Sequence, residues 1–297
     1  MKILVLGANG LVGSRFVELN KEKYDFLTPQ ITEVDITRFD EVTGYFKENR
    51  FDTVVNFSAY TDVAAAELQT DKKEEPCWKT NVEGAENLDR ICTETSRFLL
   101  HISTDAVFSG TADNKGPYKE SDRIETNLQN VSWYGFSKAR GEEHISSSNA
   151  ILRISYPYRS YFEGKMDFAR TIYELYKTNR LYPLFNDQII TPSFIDEVSD
   201  TVSKILSAKL PGIFHCASSN TTTPLQFGNY LIEKITESPR NLKEGSLVEF
   251  LLADTTRTKR PIWGGLDTTR TQDALGLRFN TWQESLSTWV RQVRTLS

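Results

Sequence analysis

A doubly wound parallel α/β sheet joined to a smaller α+β domain is the fold the sequence predicts, on three observations. Short β-branched and apolar runs alternate with amphipathic segments of about 10 to 20 residues through the first half of the chain. A glycine-rich turn follows the first of those runs directly, and the alternation breaks near Ser155. The expected strands are residues 3–6, 24–27, 53–57, 98–102 and 150–154, and the expected helices are 11–20, 39–49, 78–95 and 133–145. Five strands suffice for such a sheet. Beyond Ser155 the segments are mixed and rich in Tyr, Pro, Thr and Asn, with further apolar runs at 212–217 and 247–252. Residues 1–155 are therefore assigned to the sheet domain and 156–297 mainly to the smaller one, with segments near 190–205 able to return to the first.

Composition narrows the function classes. At about 150 residues per domain, 297 residues make one large or two closely joined domains. Hydrophobic residues at 39% and charged residues at 25% are those of an ordinary globular chain. No apolar run reaches the roughly 18 residues of a membrane span, so no membrane association is expected. The formal charge of −5 and the lack of a Lys/Arg-rich block give no reason to expect nucleic acid. Cys77, Cys92 and Cys216 form no CxxC pair, and His101, His144 and His215 are far apart, so neither a disulfide framework nor a metal site is expected. The first apolar run begins at Lys2 with no basic or cleavable leader before it, which predicts a cytoplasmic protein.

The glycine turn, Gly7-Ala8-Asn9-Gly10-Leu11-Val12-Gly13, has the spacing GxxGxxG between a strand and a helix, a Rossmann-type arrangement. Lacking Cβ atoms, Gly7 turns tightly, Gly10 lets a pyrophosphate approach, and Gly13 packs helix on strand, while the helix amino end offers N–H groups to anionic oxygens. A dinucleotide is the expected ligand, and a ligand-free turn is the alternative. Gly7, Asn9, Gly10, Leu11 and Val12 are its candidate contacts. The choice between NADH and NADPH is usually set after the second strand, where this chain reads Leu27-Thr28-Pro29-Gln30, with neither an acid for a ribose hydroxyl nor an Arg for a phosphate. Asp35 and Ile36 are candidates to flank the adenine, although an Asp there also suits a turn. Ser58, Ala59 and Tyr60, at the end of the third expected strand, either line the nicotinamide edge or satisfy loop backbone.

Tyr134-Gly-Phe-Ser-Lys138 places a phenol and an ammonium one helical turn apart on the same face. A nearby cation favours the phenolate and brings the phenol toward working range as a proton donor to a carbonyl. Ser103-Thr104-Asp105-Ala106 lies where strand ends meet a ligand, and Thr104 is placed to bond a substrate carbonyl unless the run is only a turn. Lys259 and Arg260 suit a nucleotide diphosphate, with solvated surface charge as the alternative. His215, Cys216, Trp282 and Trp289 read as core.

Together these residues resemble the extended short-chain dehydrogenase/reductases and, more narrowly, the dTDP-4-dehydrorhamnose reductase family. The resemblance rests on Gly7 to Gly13, Val55 to Thr61, Ser103 to Gly110, Tyr134 to Lys138 with Gly141-Glu142, Asp187-Gln188 with Thr191-Pro192, and Lys259-Arg260-Pro261 with Leu266-Asp267. It implies Thr104, Tyr134 and Lys138 as catalytic residues, with Thr104, Asp105, Ala106, Gln188, Thr191 and Arg260 at the nucleotide sugar. The implied reaction is hydride transfer from NADPH or NADH to the C4 ketone of a dTDP-linked 4-keto-6-deoxy sugar, in a possible homodimer. Two related alternatives are a non-catalytic cofactor-binding subunit like the methionine adenosyltransferase β subunit and a nucleotide-sugar 4-epimerase. The chain departs from the family pattern at Ala64, Ser109 and Ile154-Ser155-Tyr156, and at Ala106, which replaces an aromatic. That gap either admits a bulkier sugar or is filled by Tyr156 or Tyr158.

Overall fold

The computed structural model describes residues 1–239 and 241–296. The chain runs β1 (Lys2–Leu6), α1 (Gly13–Asn20), β2 (Asp25–Leu27), α2 (Phe39–Glu48), β3 (Thr53–Asn56) and α3 (Val63–Glu67). A long helix follows in three pieces: α4 (Pro76–Trp78), a π-helical turn (Lys79–Glu83) and α5 (Gly84–Glu94). Then come β4 (Phe98–Thr104), α6 (Trp133–Glu142), β5 (Ala150–Ile154), α7 (Phe168–Lys177), β6 (Leu184–Phe185), α8 (Ile195–Ala208) and β7 (Gly212–Cys216). The chain ends with α9 (Pro224–Thr236), β8 (Glu244–Gly245), α10 (Leu247–Leu252), α11 (Thr269–Leu275) and α12 (Trp282–Leu296).

Among the described residues six strands form one parallel sheet in the order β2-β1-β3-β4-β5-β7. Alternate side chains enter opposite layers, as a strand's period of two requires. Ile3 and Val5 pack with Phe16 of α1 and with Val198, Val202 and Ile205 of α8, while Leu4 and Leu6 pack with Val42 and Phe46 of α2 and with Leu88 and Ile91 of α5. Strand order reverses between β1 and β3, so a crevice opens at their carboxyl ends, where ligands of such sheets bind.

The expected strands and helices of the first half are present, displaced at their ends by a few residues. In the second half α8, β7 and α11 join the sheet: β7 pairs with β5 from Ala150↔Gly212 to Ile154↔Cys216, and Thr271 of α11 accepts the His215 N–H at 2.8 Å. Helices α7, α9 and α12 build a second core around Tyr158, Phe227, Trp282 and Trp289, and β6 and β8 form a separate parallel pair. The apolar run at 247–252 is a helix, begun by Ser246, whose hydroxyl accepts the Glu249 N–H at 3.1 Å. Arg15 joins the first strand–helix unit to α8 through Asp196 at 2.7 Å, and Arg159 reaches Ser14 at 2.9 Å and Glu18 at 2.8 Å. Among the described residues no helix is long and apolar enough to cross a membrane.

Candidate active site

The glycine turn is shaped by close backbone approach. Gly7 has φ +74°, and a Cβ on it would lie 2.7 Å from the Ser58 nitrogen; a Cβ on Gly13 would lie 2.4 Å from the Gly7 carbonyl oxygen. The first demands the left-handed region, and the second lets α1 seat against β1. No side chain caps α1 and its first turn holds no acid, so its amino end suits an anion.

Helix α6 is held against the loop after β4 in the same way. Ser132 caps it by accepting the Gly135 N–H at 3.1 Å, and a Cβ on Gly135 would lie 2.1 Å from the Ala106 carbonyl oxygen. At its far end a Cβ on Gly141 would lie 2.1 Å from the Asn81 carbonyl oxygen in the π-helical turn. Asn81 also ties that turn to α6 through Ser137 Oγ at 2.9 Å and to the loop after β3 by accepting the Tyr60 N–H at 2.9 Å. These contacts bring Tyr134 into hydrogen-bonding reach of Thr104.

Both meet the glycine turn in one cleft of about 710 Å³. Of the expected site residues, Gly7, Gly10, Leu11, Val12, Ala59, Thr104, Asp105, Ala106, Tyr134, Lys138, Gln188 and Arg260 line it. The others lie outside its lining. Asn9 and Thr28 are exposed beside the turn, with Asn9 bonding Gln30. Ser58 gives its N–H to Asn56, and the Tyr60 hydroxyl accepts from Gln69. Three of the expected residues make contacts within the protein. Ile36 is 5% exposed and packs into the α2/α5 layer, while Oδ1 of Asp35 accepts the Thr37 N–H and hydroxyl at 2.9 and 2.8 Å. Thr191 is buried and accepts the Leu266 N–H at 2.8 Å, so it holds the 260s loop in place from outside the cleft.

Burial dominates the electrostatics. It pushes the Tyr134 phenol up from its ordinary value against a hydrogen bond with Thr104, and Asp105 adds to the rise. This differs from the expected cation effect, because the Lys138 amine is turned onto the Ile102 carbonyl oxygen at 2.8 Å and His101 Nε2 at 3.0 Å. A phenol so placed stays protonated and can act as an acid. Lys138 is 1% exposed, and burial lowers it to about 8, partly offset by Glu142. Asp105 is raised by burial to about 6, although Ser155 donates to it at 2.6 Å and Thr104 at 3.3 Å.

Tyr156 faces the same cleft with φ +42°, its hydroxyl accepting from Gln188 Nε2 at 2.9 Å; Gln188 also donates to the Pro261 carbonyl at 3.1 Å. Tyr158 is fully buried between Phe194 and Phe227, so of the two tyrosines only Tyr156 shares the cleft with Ala106. Sequence reasoning missed Phe168, Tyr182 and Lys165, which complete the wall. It also missed a polar row under α6, formed by Asn56, His101, Ser103, Arg153 and His215 on successive strands. The signal was a His and an Arg inside apolar strands. Ser103 Oγ is buried without a partner and lines the cleft, a polar atom left for a ligand. The turn, this hydroxyl and the cleft fit a nicotinamide dinucleotide. Among the described residues no cluster of His, Cys, Asp or Glu is placed to hold a metal.

Residues 1–295 match the RmlD substrate binding domain family. A Haloferax volcanii protein named "Probable low-salt glycan biosynthesis reductase" is 31% identical over 97% of this chain and 96% of its own. A solved dTDP-4-dehydrorhamnose reductase orthologue from Clostridium acetobutylicum is 28% identical, covers 99% of this chain and 100% of its own, and superposes with a TM-score of 0.85. A Bacillus anthracis dTDP-4-dehydrorhamnose reductase solved in complex with NADP shares the fold, with a TM-score of 0.83 at 24% identity over 98% and 99% of the two chains.

Proposed function

Because this chain belongs to the RmlD substrate binding domain family, we propose that it reduces the C4 ketone of a nucleotide-linked, preferably dTDP-linked, 4-keto-6-deoxy sugar with NADPH or NADH. The observation that carries the reading is the meeting of the Gly7–Gly13 turn with Thr104, Tyr134 and Lys138 in a single cleft. Gly7, Gly10 and the amino end of α1 hold the pyrophosphate, with Asn9 and Thr28 beside the adenosine end. The bound dinucleotide supplies the hydride.

The chain's own residues supply the rest. Thr104 and Tyr134 bond the ketone oxygen, and Tyr134 gives its proton to that oxygen as the hydride reaches C4, leaving an alcohol and a phenolate. Lys138 stabilises the phenolate electrostatically. Arg260 and Lys259 face the diphosphate, and Gln188 fixes Arg260 by holding the next carbonyl, that of Pro261. Tyr156, Tyr182 and Phe168 form the sugar wall, Tyr156 sharing the cleft with Ala106. In this reading residues 1–155, with α8 and β7, are the dinucleotide-binding part, and the remainder mainly holds the nucleotide sugar.

Purified protein is expected to oxidise NADPH or NADH when given a dTDP-4-keto-6-deoxy sugar, and Tyr134→Phe to lose about 10²–10⁴-fold in kcat while still binding the dinucleotide. Turnover unchanged in that variant would reject Tyr134 as the acid.

A further inference from the structure

Behind Lys138 lies a chain of hydrogen bonds whose polarity can be read link by link. Asn56 Oδ1 accepts the Ser58 backbone N–H at 3.0 Å, in the loop whose nitrogen would clash with a Cβ on Gly7. That bond fixes the amide, because turning it over would set its NH₂ against the same N–H. The amide nitrogen is thus the atom 3.2 Å from His101 Nδ1, and it donates. Nδ1 then accepts, and the proton of a neutral ring sits on Nε2. Nε2 is 3.0 Å from Lys138 Nζ, which itself donates to the Ile102 carbonyl at 2.8 Å.

An Nε2–H needs a lone pair opposite it, and only the uncharged amine has one. With Lys138 charged, Nε2 must accept instead, Nδ1–H then faces the Asn56 amide, and two donors meet in a site from which water is shut out. Asn56 and His101 are each 1% exposed. The other titratable or charged groups around Lys138 are Glu142, itself paired with Arg153, Cys77 of α4, and Tyr134 one turn back on α6. None of them contacts the His101 ring nitrogens, whose polarity Asn56 alone sets.

We propose that His101 is a positioning residue that holds its ring proton on Nε2 and donates it to the Lys138 amine, with Asn56 fixing that tautomer from the dinucleotide turn. The arrangement favours the uncharged amine, so it lowers the pH at which Lys138 loses the charge that supports the Tyr134 phenolate, and the His101 N–H then donates to the exposed lone pair of Nζ. The lowering of Lys138 agrees in direction. This catalytic part rests on the reductase reading above.

The tautomer can be read without substrate. The chain has three histidines, so long-range ¹H–¹⁵N spectra of the full protein with ¹⁵N-labelled histidine, assigned with His101→Gln, resolve the His101 ring. At about pH 9, above the lysine's titration, the native ring is expected as the Nε2–H form. Asn56→Asp, whose carboxylate can accept both the Ser58 N–H and Nδ1–H, is expected to switch it to Nδ1–H. If the enzyme turns over, the same variant should move the alkaline limb of kcat upward by about one pH unit, since it now favours the ammonium. A native ring protonated on Nδ1 overturns the proposal even if the variant does not fold; so does an Asn56→Asp ring still protonated on Nε2, or an unmoved limb in an active variant. A protein that reduces no sugar nucleotide would sink the reductase reading and leave the spectrum to decide the tautomer.

Discussion

Arg153 is 1% exposed in the middle of β5, and its guanidinium donates to Glu142 at 2.6 and 2.9 Å from the last turn of α6. With Tyr134, Lys138 and Glu142 on successive turns of one helical face, the phenol, the amine and the buried carboxylate all descend onto the sheet. Arg153→Met leaves that carboxylate buried without its partner and is expected to cost about 3–5 kcal/mol in urea unfolding; adding Glu142→Leu should recover most of the loss. A recovery no larger than zero would mean that the pair is not what holds this layer. The sequence carried the Tyr134–Lys138 pair, because i,i+4 spacing places two side chains on one face whatever surrounds them. It could not carry the environment of Tyr134. The rise of the phenol comes from burial, and the lysine turns to His101 and the Ile102 carbonyl, contacts made by a strand about 36 residues away. Similarly, the sequence left Asp35 open between the adenine and a local turn, and in the structure its Oδ1 accepts the Thr37 N–H and hydroxyl.

Elements of the first half were legible because each strand is short, apolar and bounded by turn residues, and α1, α2 and α5 carry apolar stripes, while α6 buries Ser137, Lys138 and Glu142 instead. Their ends were less so: α1, which no side chain caps, starts at Gly13 rather than residue 11, and α6 stops at Glu142 rather than residue 145. The run at 247–252 has no periodicity that separates strand from helix, and the Ser246 cap settles it. What aims α6 is the absence of a side chain at Gly135. Gly135→Ala puts a Cβ against the Ala106 carbonyl, a backbone atom that cannot swing aside, so α6 must retreat from Thr104. A loss of about 1–3 kcal/mol of stability is expected, with kcat falling more than dinucleotide affinity; equal losses in both would place the effect outside the Thr104–Tyr134 contact.

At the scale of the whole molecule the cleft lies between the carboxyl edge of the sheet and the second core, and the chain crosses between them more than once, as α8 and β7 return. That return was only partly legible, because which strand pairs with β5 is a long-range choice that local pattern does not encode. The junction also carries a pH dependence. Glu197 of α8 accepts the Asn280 N–H at 2.8 Å and Ser285 Oγ at 3.0 Å, and burial raises it to about 7. Its folded form binds the proton more tightly than its unfolded form does, so its contribution to stability falls as pH rises from about 4.5 to about 7. His215, lowered to about 3 by burial and by Arg153, acts in the opposite sense, adding stability as pH rises from about 3 to about 6.5. Glu197→Gln isolates the carboxylate: its stability relative to the native protein should improve by about 1–2 kcal/mol between pH 5 and pH 8, and a flat difference would contradict the burial effect. The central claim is that Tyr134 and a dinucleotide held at the glycine turn act on one ketone, and transfer of label tests it most directly. With NADPH and NADH each carrying deuterium at both hydrogens of the transferring carbon and a dTDP-4-keto-6-deoxy sugar, the account predicts an alcohol carrying deuterium at C4 with at least one of the two, formed one for one with oxidised cofactor and lost in Tyr134→Phe. Product without deuterium, or cofactor that stays reduced throughout, would contradict it.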